Sequence, residues 1–216
     1  MDISTAIRTN GSVRAFTTDP VDDATVTAVL DDARFAPSGG NRQPWRVAVV
    51  KDLAIRRTMA DLMLPIWHEY LGANATGATA FAFGKSIDAP PKVVPNALVE
   101  TIEEIPVVLA VAADLHHIAL MDGNLDRPPV TAGASIYPFC WNLLLSARAH
   151  GLGGVMTTFL SRAEPAAAPA LGLPEGHALA AVIFLGVPVH QPTKLSRKPV
   201  DSFTTVDRFD GPAFTA

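Results

Sequence analysis

An α+β sandwich is the fold that the sequence predicts, and two observations carry it. Segments with the apolar period of an amphipathic helix and short β-branched runs are interleaved along the chain, yet without the regular strand–helix–strand alternation of a doubly wound fold. A hydrophobic fraction of 49% in 216 residues is too apolar for a disordered chain and sufficient for one sizeable core, so residues 1–216 are expected to form a single domain.

The first strong element covers residues 21–36, where Val26, Val29, Leu30 and Ala33 recur at helical spacing behind Asp22 and Asp23, acidic residues that suit a helix start. "WRVAVVKD" then reads as a short strand, and "LAIRRTMADLMLPIWHEYL" returns to a helical period that Pro65 is expected to kink or interrupt. Residues 72–97, with "GANATGATAFAFG" and "DAPPKVVPN", are rich in Gly, Ala and Pro and read as a long loop, a lid insertion. "PVVLAVAAD" is a buried strand, "GNLDRPP" a turn, and "AGASIYPFCWNLLLSARAH" a largely apolar central helix that Gly151 terminates. "LGGVMTT" and "LAAVIFLGVPV" are two further strands, separated by a short helix and a Pro/Gly turn in "SRAEPAAAPALGLPEG". The tail at 190–216 carries Lys194, Arg197 and Lys198 and offers Phe203, Phe209 and Phe214 as anchors, which either wrap its own domain or reach a partner subunit.

Several function classes fall away. No apolar run approaches the roughly 20 residues of a membrane span, and a formal charge of −4 without a basic run leaves no footprint for nucleic acid. "MDISTAIRTNGS" lacks the apolar core and cleavage site of a secretion signal, so a cytoplasmic location is expected. Cys140, alone in an apolar stretch, reads as a core residue instead of a nucleophile. The six histidines show no ligand spacing, so no metal is expected; "LHHIAL" reads as a strand exit with solvated imidazoles and "IEEIP" as helix-end charge. The familiar nucleotide-loop, zinc-protease and nucleophile-elbow motifs are missing.

The remaining features suit a planar, polyanionic cofactor. "RTNGSVRAF" places Arg8, Ser12 and Arg14 in one segment, a hydroxyl and two permanently charged forks that fit a phosphate or a polarised carbonyl, or else a charged surface turn. In "APSGGNRQPW", Ser38, Gly39 and Gly40 let backbone approach a ligand and expose N–H groups, while Asn41 donates and accepts through one amide; a helix-ending turn would use the same residues. "GLGG" ahead of "VMTT" is a second place of close backbone approach, and "SRKP" adds an arginine near the end.

In this order and spacing, "SVRAF", "APSGGNRQPW", "GLGG" and "SRKPVDSF" resemble the FMN-dependent nitroreductase family over nearly the whole chain. The resemblance implies an α+β sandwich with a central mixed sheet flanked by helices, an intertwined homodimer, and each FMN lying at the interface, touched by both subunits. It implies that Ser12 and Arg197 hold the phosphate. Family members commonly carry an arginine just before that serine; here "NGS" stands there, leaving Arg8, or the weaker Asn10, in its place. Arg14 would face the pyrimidine edge of the ring, and Pro37, Ser38, Gly39 and Asn41 of the opposite subunit would form a shelf along the flavin. Met156, Thr157 and Thr158 would pass its dimethylbenzene and N5 side, with Gly153 and Gly154 giving the strand room to approach, while Gln43-Pro44-Trp45 would set the entry into the first strand. The family's second polar pair, on or after the helix that follows the first strand, has no counterpart in "LPIWHEYLGANATG". The implied reaction is ping-pong electron transfer from NADH or NADPH through the flavin to a small-molecule acceptor such as a nitroaromatic or a quinone, without a named catalytic side chain. Alternatives on the same fold are a flavin-consuming oxygenase or another dehydrogenase, and, outside enzymology, an FMN storage or sensing protein whose lid blocks nicotinamide.

Overall fold

The computed structural model describes residues 1–77, 79–82 and 89–215. The chain runs α1 (Ile3–Thr9), α2 (Asp23–Ala33), β1 (Trp45–Val49), α3 (Leu53–Ala75), α4 (Ala97–Glu100), β2 (Val107–Asp114), α5 (Tyr137–Ala149), β3 (Gly153–Thr157), α6 (Phe159–Arg162), α7 (Glu164–Leu171) and β4 (His177–Gly186). The strands form one sheet in the order β1-β2-β4-β3, with helices on both faces, and the α+β sandwich holds. The sheet itself corrects the expectation of a mixed one, because every pair among the described strands is antiparallel. An apolar period carries no strand direction, and the helical excursions from β1 to β2 and from β3 to β4 each return the chain to the end of the sheet it left.

Side chains along β2 alternate between two cores. Val107, Leu109, Val111 and Ala113 face α2 and α5, whereas Val108, Ala110 and Ala112 face the layer that holds α3, α4, α6 and α7. Pairing with β4 passes from Val111↔Ala181 directly to Ala112↔Leu179, so Ala180 is the extra residue of a β-bulge. The bulge puts Leu179 on the same side as Val182 and Phe184, although it shares parity with Ala181 and Ile183. Each fully buried side chain of this size contributes about 1.5–3 kcal/mol.

The start of α2 follows its sequence, with Asp22 accepting the Thr25 N–H at 2.6 Å. The first helix, α1, is short and was not announced by an apolar period; Asp2 caps it by accepting the Thr5 N–H at 3.0 Å. α3 departs from expectation by continuing without interruption through Pro65 to Ala75. Proline removes a single N–H, and the helix is held over its length by Met59, Ala60 and Met63 in the core and by Arg56, buried, whose guanidinium donates to the carbonyls of Val50, Ile102 and Ile105. Gly72 belongs to this helix and not to a loop, because the Pro90 carbonyl occupies the place a side chain would take. Of the lid expected at 72–97, residues 78 and 83–88 lie outside the described residues.

A short 3-10 turn, Thr131–Ser135, leads into α5. One face of α5 is central, with Phe139, Cys140, Leu143, Leu144 and Ala147 buried, while Tyr137 and Trp141 stand exposed on the other. Burial pushes the Cys140 thiol up to about 12, as fits a core residue. Gly151, at φ +80°, ends the helix. The single helix expected within 161–176 is two, α6 and α7, parted at Ala163 ahead of Pro165. His116 and His117 are exposed beside Asp114, as a solvated strand exit requires. Among the described residues no helix is long and apolar enough to cross a membrane. In the tail, Phe203, Phe209 and Phe214 are 66%, 105% and 56% exposed, so these anchors do not wrap their own domain.

Candidate functional site

The segment after α1 lies against β3. The Val13 N–H donates to the Gly154 carbonyl at 3.0 Å, and further along the Thr17 N–H reaches Val187 at 2.9 Å. Glycine is required in β3 for this approach: a Cβ on Gly153 would stand 2.6 Å from the Val13 side chain, and one on Gly154 would stand 2.6 Å from Leu185. Both glycines are buried. On the Cβ side they make room for Val13 and Leu185, and this approach brings Arg14 beside the strand.

Arg14, Val155, Met156, Thr157 and Thr158 line one side of a cavity of about 460 Å³. Its other walls are Trp67 and Tyr70 from α3, Phe159 from the start of α6, and Asn96, Leu98 and Val99 at the start of α4. The three rings form a packed wall, with the Trp67 and Tyr70 centroids 6.0 Å apart and Phe159 5.8 Å from each. Among the described residues, Arg14 is the one cation on the lining, and no carboxylate shares it. Asn96 adds an amide. It occupies the cap position of α4, where its carbonyl accepts from Val99 and Glu100 at 2.9 Å, but its side chain makes no capping bond. An Asn cap usually contributes about 1 kcal/mol, so this amide forgoes a local partner at the one place where it faces the cavity. Sequence reasoning missed Trp67, Tyr70, Asn96 and Phe159; the Pro-Asn pair ahead of "ALVE" was the available signal for Asn96.

The predicted phosphate residues lie along the same edge. Gln191 Nε2 donates to the carbonyls of Thr9 and Gly11 at 3.2 and 3.3 Å, and Pro192 and Leu195 fill the space where a Gly11 side chain would be. Arg197 follows two residues later, within about 7 Å of extended chain. Ser12 and Arg197 are both exposed, and Arg197 donates Nη1 to its neighbour's carbonyl at 2.7 Å while keeping other N–H groups. Arg8 is exposed in the last turn of α1, whereas Asn10 is buried and turned away from solvent.

Pro37, Ser38, Gly39 and Asn41 lie elsewhere. They precede β1, at the opposite edge of the sheet from β3, three strand spacings or about 14 Å away. Along the strands, Trp45 is level with Ala113 and Ala178, whereas Thr157 pairs with Val182 further along β4. The turn is built by positive φ at Gly40, Asn41 and Gln43, of +61°, +53° and +49°. Three of its N–H groups are used within the chain: Gly39 donates to Ser135 Oγ at 3.0 Å, Asn41 to the Ser38 carbonyl at 2.9 Å and Gln43 to Ser38 Oγ at 3.0 Å. The fold does not need a glycine at 39, because among the described residues a Cβ there would meet only Ser135 Oγ, at an ordinary 3.7 Å. Behind this turn, buried Asp122 accepts from Thr131 Oγ1 at 2.5 Å, the Val130 N–H at 2.8 Å and Arg127 at 2.6 Å, which holds the approach to Ser135 and keeps its carboxyl far below the usual range. As sequence expected, Pro44 and Trp45 set the strand entry, through a 2.7 Å bond from the Asp114 N–H to the Pro44 carbonyl and a 4.8 Å stack of Trp45 on Phe139.

Comparison with known proteins agrees with the fold. A protein named NADH dehydrogenase from Thermus thermophilus is 28% identical over 93% of this chain and 94% of its own. A 5,6-dimethylbenzimidazole synthase from Rhodospirillum rubrum is 33% identical over 82% of this chain and 77% of its own. Among solved structures, a nitroreductase from Desulfovibrio desulfuricans in complex with FMN superposes with a TM-score of 0.68 at 22% identity, covering 94% of each chain. The model of the nitroreductase family matches residues 7–187, from α1 through all four strands, and on that span the chain belongs to the nitroreductase family.

Proposed function

We propose that the protein is an FMN-dependent oxidoreductase that passes electrons from NADH or NADPH to a small organic acceptor, acting as a homodimer in which each flavin is held by both copies. The observation that carries this reading is the separation of the site. Arg14, Asn96 and Met156–Thr158 gather at one edge of the sheet, and the glycine-bearing shelf, which the chain's own fold does not require at Gly39, stands at the opposite edge. A second copy supplies the missing half, and the uncovered Phe203, Phe209 and Phe214 suit the same partner.

The residues fit the cofactor. When bound, FMN supplies the redox chemistry, accepting two electrons from the nicotinamide and yielding them to the acceptor in alternation. Arg14 places a fixed cation at the pyrimidine edge of the ring and favours the reduced state electrostatically. The Asn96 amide, one donor and one acceptor, matches the imide edge beside it and fills the role for which the sequence showed no counterpart. Ser12 and Arg197 bind the phosphate, with Arg8 adding charge. Met156 closes the cavity along the ring, and the wall of Trp67, Tyr70 and Phe159 limits water.

Anaerobic addition of NADH or NADPH to the purified yellow protein tests the reading: bleaching of the flavin absorbance supports an oxidoreductase, and a yellow protein that resists bleaching supports storage or sensing. The Rhodospirillum rubrum relative favours a second reading, since the product in its name carries the dimethyl-substituted benzene ring that FMN also contains. Air distinguishes the two. An electron-transfer enzyme regains its full flavin spectrum, and a flavin-consuming one loses it.

A further inference from the structure

Three prolines lie in the limb that returns from α3 towards α4, at 90, 91 and 95, and none has an N–H to donate. Among the described residues, two hydrogen bonds tie this limb to α3: the Lys92 N–H donates to the His68 carbonyl at 3.0 Å, and the Trp67 indole N–H donates to the Val94 carbonyl at 3.1 Å. Val94 is two residues before Asn96, whose backbone then starts α4 and whose side chain is without a capping bond. The indole is itself fixed in direction. It lies near-parallel to Tyr70, at 21°, and meets Phe159 edge-on at 64°, and Phe159 directly follows Thr158.

On the flavin reading above, we propose that Trp67 is a positioning residue: its N–H holds the 90–95 limb so that the Asn96 amide stands at the pyrimidine edge, opposite Arg14. The ring lines the cavity and the N–H faces away to Val94, so one side chain joins the wall that packs on the end of β3 to the chain that carries Asn96. Trp67→Phe keeps an aromatic wall and removes the donor. A purely structural role for the N–H would leave flavin affinity unchanged, whereas a positioning role makes the effect of Trp67→Phe depend on the presence of Asn96.

The test is a double-mutant cycle on the full-length apo-protein, read as the Kd for FMN by flavin fluorescence and, in the loaded proteins, as the flavin midpoint potential. Trp67→Phe and Asn96→Ala should each weaken FMN about tenfold and shift the midpoint in the same direction, with unchanged apo-protein melting temperatures. The double variant should be weakened about tenfold again relative to wild type, not a hundredfold, because both changes remove one contact. A hundredfold loss in the double variant, or a Trp67→Phe protein that binds FMN as wild type does while Asn96→Ala is weakened, overturns the assignment of Trp67 and leaves the flavin reading standing. A wild-type protein without measurable FMN binding overturns the flavin reading and this assignment with it.

Discussion

Arg197→Ala should bind FMN roughly ten- to a hundredfold more weakly than the wild-type chain while folding normally. A guanidinium–phosphate contact is charge-assisted and worth about 1.5–3 kcal/mol. The side chain is exposed and, among the described residues, donates only to the Ser196 carbonyl, so its removal leaves no buried described partner unpaired. The tail is docked ahead of it by Gln191, Pro192 and Leu195, which the substitution does not touch. Titration of apo-protein with FMN measures the effect, and full affinity in the variant would remove Arg197 from the phosphate site.

Arg14→Gln should lower the midpoint potential of the bound flavin by some tens of millivolts while changing the affinity for oxidised FMN much less. Among the described residues, Arg14 is the only cation on the cavity lining, and no other described lining residue carries a charge to replace it. Loss of a desolvated cation beside the pyrimidine edge destabilises the reduced state by about 1–3 kcal/mol, and about 1.4 kcal/mol corresponds to about 30 mV for a two-electron couple. An anaerobic titration against a reference dye reads the shift directly. An unchanged midpoint in a flavin-loaded variant would return Arg14 to the role of a charged surface turn.

The elements that could be read from the sequence were those in which local chemistry and burial agree. The Asp22 cap with Val26, Val29 and Ala33 behind it gave α2, and the uninterrupted apolar run of "VVLAVAAD" gave β2. Pro65 and Gly72 misled for a common reason: their propensities are local, whereas the Arg56 contacts and the close passage of Pro90 that hold α3 together come from residues distant in the chain. Arg14 and Met156–Thr158 were singled out through two motifs far apart in the chain, and they meet at the end of β3 because the segment after α1 lies against that strand. At Gly153 and Gly154 the structure adds contacts of the chain's own, with Val13 and Leu185, because a sequence does not say which neighbours make a close approach. Asn96 and the aromatic wall were missed because they are assembled by the long α3 and by the proline-rich limb that folds back along it, a return that no period encodes.

The central claim, that one flavin is shared by two copies of the chain, is tested most directly by pairing two defective chains. Arg197→Ala damages the phosphate site, and Gly39→Leu, at an exposed position where an added Cβ meets only Ser135 Oγ among the described residues, covers the shelf. Each variant alone should purify nearly free of FMN. Co-expressed with different affinity tags and isolated as the mixed dimer, they should hold about half of the wild-type flavin, because one of the two sites then combines an intact Arg197 with an intact shelf. Mixed dimers as empty as either parent would contradict the account.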